Sequence, residues 1–124
     1  MKPPDTDEVR TVMPTIKLDS LHCTKKSDDA GSNDEIYLEI RTDGLKGKLP
    51  EDKDYWEMSS GDTQSIGRTY DFRGDFLVVC KESDTARHET IGEFTFVAGT
   101  TPPTSPLYWT GSKSDYQFYF TYTA

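Results

Sequence analysis

The residues best suited to chemistry crowd into one turn: Ser27, Asp28, Asp29, Ala30, Gly31, Ser32, Asn33, Asp34 and Glu35. Carboxylates, an amide and hydroxyls on a backbone loosened by glycine are hard oxygen ligands. Calcium takes about six to eight of these and demands no single spacing. Only Lys25 and Lys26 stand nearby to offset the charge. A second acidic group, Glu82, Asp84 and Glu89, follows the apolar run Phe76 to Cys80. Glu82 and Asp84 are two apart, so in an extended backbone they project the same way. If the two turns meet at one pole of the fold, Asp28, Asp29, Asn33, Asp34, Glu35, Glu82, Asp84 and Glu89 form a calcium ligand set, with Asn33 giving its backbone oxygen. Without a cation such crowding costs several kcal/mol of repulsion, so calcium is expected to stabilise the fold by mass action. Taken singly, each turn reads only as a solvated loop.

Other residues offer weaker chemistry. His22, Cys23, Cys80 and His88 fall near the same pole and include zinc-ligand types, but neighbouring side chains of an extended segment point to opposite faces, which separates His22 from Cys23. Cys23 and Cys80 end two strands and are either a disulfide or a pair of buried thiols. The aromatic pairs Tyr55, Trp56 and Tyr108, Trp109 lie beside loops, where Trp56 or Trp109 would serve as a platform for a sugar ring or else pack against the core. No glycine-flanked serine elbow and no phosphate-cradling glycine loop occurs, so no enzymatic activity is expected.

The elements that must position these residues are strands. Residues 1–14 read as a flexible lead-in, with an edge strand over Val9 to Met13 stopped by Pro14. The remainder, 15–124, reads as a single domain. Ile16 and Leu18 alternate with polar residues, and Leu21 and Cys23 continue one step out of phase, so a bulge near Asp19 and Ser20 is expected. Ile36, Leu38 and Ile40 form one face of a half-buried strand. Thr42 to Asp54 reads as a solvated connection. Further strands are expected at Tyr55 to Met58, Ile66 to Phe72, Phe76 to Cys80, Gly92 to Val97 and Tyr116 to Tyr122, with Arg68 awkwardly inward and a hairpin at Arg73, Gly74 and Asp75. The proline-rich stretch Thr100 to Pro106 is a loop. Seven or eight short strands and no helical stripe predict an all-β antiparallel sandwich.

The totals narrow the partners. A net charge of −8 opposes the basic surface that nucleic acid requires. No run approaches the roughly 20 apolar residues of a membrane-spanning helix, and Met1 to Glu8 is too polar for a secretory leader. The chain is expected to be soluble, and secreted only if it is a processed form. Two cysteines leave the compartment open, and nothing fixes the oligomeric state.

At the two acidic turns the chain resembles C2 domains. Asp28, Gly31, Asn33 and Asp34 leading to Tyr37 and Leu38 resemble their first calcium loop; Glu82, Ser83, Asp84, Glu89, Thr90, Ile91 and Gly92 are similar to their third. Glu35 and Ile36 depart from the usual single proline, Glu82 and Glu89 stand in place of aspartates, and the step from Asp84 to Glu89 is short. With one strand before the first loop, and Leu18, Leu21 and Cys23 within it, the resemblance implies the circularly permuted topology. It also implies a calcium-binding module whose loop end docks a phospholipid head group or a protein. The alternatives are a lectin-like glycan binder with structural calcium and a small secreted effector that binds protein without metal.

Overall fold

The computed structural model describes residues 13–27, 32–83, 88–111 and 113–124. The expected lead-in and its edge strand lie almost wholly outside these residues. Among the described residues nine strands run β1 (Thr15–Lys25), β2 (Asp34–Thr42), β3 (Leu45–Leu49), β4 (Trp56–Met58), β5 (Thr63–Asp71), β6 (Asp75–Ser83), β7 (His88–Val97), β8 (Leu107–Thr110) and β9 (Asp115–Thr123). No helix interrupts the described residues. One sheet has the order β5-β1-β9-β8 and the other β3-β2-β6-β7, with β4 also paired to β2. Every pairing is antiparallel, so the fold is the expected all-β sandwich.

Alternation builds the core. Ile36, Leu38 and Ile40 of β2 face Ile16, Leu18, Leu21 and Cys23 of β1, and Phe72, Phe76, Phe96, Phe118 and Phe120 fill the space between. Each such side chain, fully buried, contributes on the order of 1.5 to 3 kcal/mol before entropy is set against it. The expected bulge is present: β1 shifts register between Leu18 and Ser20 against both of its neighbours, which returns Leu21 and Cys23 to the core.

Three stretches depart from expectation. The segment 42–54 is not merely a connection, because Asp43 and Gly44, at φ 49° and 81°, make a two-residue turn of the primed kind whose twist suits a hairpin. That turn launches β3, with Thr42 opposite Leu45. Leu107–Thr110, where no strand was expected, is a short edge piece paired to β9. Conversely, Arg73, Gly74 and Asp75 do not make a hairpin: β5 pairs with β1 and β6 with β2, so the chain changes sheet there. Buried Phe72 sits on this crossing and its amide donates to the Pro14 carbonyl at 3.2 Å. The amides of Arg73 and Gly74 donate to the Asp43 carboxylate at 2.9 and 3.1 Å, satisfying groups that a hairpin would have paired across its own strands.

Candidate loop-pole site

The two acidic connections leave the fold at one pole. One runs from the end of β1 to Asp34 at the start of β2; the other runs from Ser83 at the end of β6 to His88 at the start of β7. Because Ile36 lies opposite Glu82 and Glu82 lies opposite Glu89, both connections spring from adjacent strand ends. Asp28, Asp29, Gly31 and Asp84 fall outside the described residues.

Strand parity then sorts the remaining candidates. Asp34 shares the inward face of β2 with Ile36 and is fully buried. Its carboxylate accepts from the Ser27 amide at 3.0 and 3.2 Å, from the Ser27 hydroxyl at 2.7 Å and from the Tyr116 hydroxyl at 2.6 Å. Ser27 and Tyr116 are buried as well. Asp34 is thus a hydrogen-bonded hub rather than a solvent-facing ligand: burial of a carboxylate is tolerated because several donors meet it. It joins the residue that precedes the first acidic connection to β9 in the opposite sheet. The Tyr116 hydroxyl is also hydrogen-bonded with the Cys23 thiol, and burial, followed by the Asp34 contact, holds it far above an ordinary phenol in pKa.

Glu35 sits on the other face. It lies opposite Glu57 and bonds the Tyr55 hydroxyl, which raises the Tyr55 pKa, so it is directed away from Asp34. Glu82 and Glu89 directly oppose one another on the inward side, helped by the irregularity between Cys80 and Lys81 that leaves Ile91 as the extra residue. Asn33 is exposed at the mouth of the first connection. Lys26 spans that connection's base, donating through Nζ to the Ser32 carbonyl at 2.8 Å. Among the described residues, no three His, Cys, Asp or Glu side chains form a metal-holding group.

The other candidates resolve plainly. Cys23 and Cys80 are buried free thiols rather than a disulfide, and desolvation raises the pKa of both. His22 bonds Thr63 at 2.7 Å, and His88 shares a 2.6 Å bond with the Tyr37 hydroxyl. Trp56 and Trp109 are each only 7% exposed. They cannot act as sugar platforms, because parity turns them inward while Tyr108 beside Trp109 is 70% exposed. Trp109 instead stacks on Phe118, with centroids 5.0 Å apart and planes within 6°. Sequence reasoning missed Tyr116 as a site residue and counted Ser27 in the turn but not among the ligands; a tyrosine at the inward parity of β9 was the available signal.

No family model and no curated protein matches the sequence. Solved structures are similar in fold. A structure described as a C2 domain superposes with a TM-score of 0.61 at 8% identity, over 91% of this chain and 100% of that one. A C2 domain of plant Extended Synaptotagmin 1 gives 0.55 at 9% identity, over 90% and 93%. Human GIVD cytosolic phospholipase A2 gives 0.51 at 13% identity, over 87% of this chain but 17% of that enzyme. The fold is C2-like.

Proposed function

We propose that this C2-like sandwich is a calcium-dependent binding module rather than an enzyme, with its ion held at the pole where the two acidic connections emerge. The observation that carries this reading is the register: Glu82 opposite both Ile36 and Glu89 draws two acidic segments, distant in sequence, to one end. Glu82 and Glu89, the Asn33 carbonyl, and Asp28, Asp29 and Asp84 are the proposed ligands. Asp34 serves by fixing Ser27, the base of the first connection. A bound ion with open coordination positions then docks an anionic group, either a phospholipid head group or a carboxylate of a protein partner.

The test is a melting curve of the full chain with calcium, magnesium and chelator in turn. Calcium at about a hundred times its dissociation constant adds roughly 2.7 kcal/mol, a rise in Tm of about 10 °C for a domain of this size. Sedimentation with anionic vesicles separates the two kinds of partner, since only the lipid reading predicts calcium-dependent pelleting. No Tm shift and no calorimetric heat with millimolar calcium would overturn the metal site.

A further inference from the structure

Between the open edges of the two sheets, away from the loop pole, lies a slot of about 190 Å³. Ile40 and Leu49, each 3% exposed, and Tyr70 form its apolar walls, and Leu45, 70% exposed, stands at one side. The strands that border it, β3 and β5, pair with β2 and β1 but not with each other. Among the described residues no strand pairing therefore closes the gap.

A cation guards the slot. Arg68 lies opposite core residue Leu18, so it occupies the core-facing parity of β5, an unusual place for a guanidinium unless it is paired. Its fork holds the Glu51 carboxylate at 2.6 and 3.2 Å. Both groups stay substantially exposed, at 42% and 63%, so the pair adds little stability and is exchangeable. Lys46 adds positive charge at the same rim. The hydroxyl of Thr42 lines the slot too, and among the described residues it is the buried side-chain polar atom without a hydrogen-bond partner.

We infer that this slot binds a carboxylate-headed aliphatic chain, the acid taking the place of Glu51 on Arg68 and the hydrocarbon lying along Ile40, Leu45, Leu49 and Tyr70. Its length follows from the volume of about 190 Å³: if each carbon fills roughly the 30 Å³ of a water molecule, about six carbons fit inside, with the carboxyl group and the methylene beside it standing at the exposed rim on Arg68. The slot is smaller than the roughly 300 Å³ at which sites for drug-sized ligands begin, so it suits one short unbranched chain. Glu51 acts as a resident competitor, since its carboxylate supplies the two-point contact that a planar guanidinium favours. This slot and the proposed calcium site sit at opposite ends of β2, so either can fail without the other.

The experiment is calorimetric titration of the full chain with octanoate, alongside octanol, which keeps the chain without the charge, and acetate, which keeps the charge without the chain. Saturable one-to-one binding of octanoate alone is expected. Arg68→Gln should weaken it by about tenfold, the loss of one charge-assisted pair. Glu51→Gln should strengthen it by up to about fivefold, the factor for one exposed ion pair. Leu45→Asp, at a position too exposed for folding to depend on it, should also weaken binding. Equal binding of octanol and octanoate, octanoate binding unchanged by Arg68→Gln, or no saturable heat with either wild type or Glu51→Gln would overturn the site.

Discussion

Replacing Tyr116 by Phe isolates the contact on which the loop pole stands. Tyr116 is 1% exposed and Asp34 fully buried, so no water replaces the lost hydroxyl. The 2.6 Å bond it donates to Asp34 is charge-assisted, and bonds of that class contribute about 1.5 to 3 kcal/mol net. The upper half of that range applies, because a carboxylate left short of donors in the interior bears a further desolvation cost. A loss of about 2 to 3 kcal/mol corresponds to a Tm lower by about 10 °C and, with m near about 2 kcal/mol per molar, a urea midpoint lower by about 1 M. Ser27→Ala should cost less, about 1 kcal/mol, since the Ser27 amide still reaches both carboxylate oxygens.

The assay is urea unfolding followed by tryptophan emission, with equal m-values required so that the midpoints report stability alone. The order matters more than either value: Tyr116→Phe must be worse than Ser27→Ala. If Tyr116→Phe moves stability by less than about 0.5 kcal/mol, Asp34 is not the hub inferred from its geometry. If stability falls but calcium still shifts the melt of the variant by the wild-type amount, the hub holds the sheets together without positioning the ligand loop.

Gly92→Ala sets two local effects against each other. Alanine in a strand interior gains about 0.5 to 1 kcal/mol over glycine, but a Cβ at 92 would lie 2.3 Å from Cγ and 2.6 Å from Cβ of Trp109, so β8 itself must shift. Overpacking of that kind costs about 1 to 3 kcal/mol; a net loss in thermal stability with altered Trp109 emission is expected, and an unchanged or raised Tm refutes the close approach. Alkaline stability gives another check. Burial raises the Cys80 pKa from 9.0 and burial with the Asp34 bond raises that of Tyr116 from 10.0. Both contributions are therefore complete below those unfolded values and are lost as pH climbs beyond them. At about 1.4 kcal/mol per pH unit for each group, urea midpoints at about pH 11 should report a loss of at least about 4 kcal/mol relative to about pH 8, to which Cys23, whose pKa burial also raises, adds. Cys80→Ala should reduce that dependence without abolishing it, and a flat profile would contradict the burial of these groups.

Much of the sandwich was legible because one face of each inner strand is dry. The alternation through Ile36, Leu38 and Ile40 announced β2, and the phase slip between Leu18 and Leu21 announced the bulge in β1. The hidden strand, β3, has four of its five residues exposed, so no alternation could mark it. Its signal was the Asp43 and Gly44 pair, whose charged surroundings made it resemble an ordinary solvated turn. The false hairpin at Arg73 to Asp75 arose for another reason. Turn residues fix where a chain bends but not which sheet receives it, and here the choice is made by Phe72 and by Asp43, a residue thirty positions away from Arg73.

The candidate site was legible in location and not in role, and parity explains the difference. Composition placed carboxylates at Asp34, Glu35, Glu82 and Glu89, but a carboxylate on a strand end has two fates according to the face it inherits. On the outward face Glu35 meets Tyr55 and solvent; on the inward face Asp34 enters a space closed by Tyr116 and Ser27 and becomes tolerable only by accepting every donor offered. Glu82 and Glu89 share the inward face yet lie past the last fully apolar pair, where the sheets no longer exclude water. The same test applies to the aromatics: Trp109 and Tyr108 are adjacent, and parity decides which one the core keeps, since Trp109 lies opposite buried Tyr116. Residue type thus limits what a position can do, while its step along the strand, measured from the nearest buried neighbour, selects among those uses.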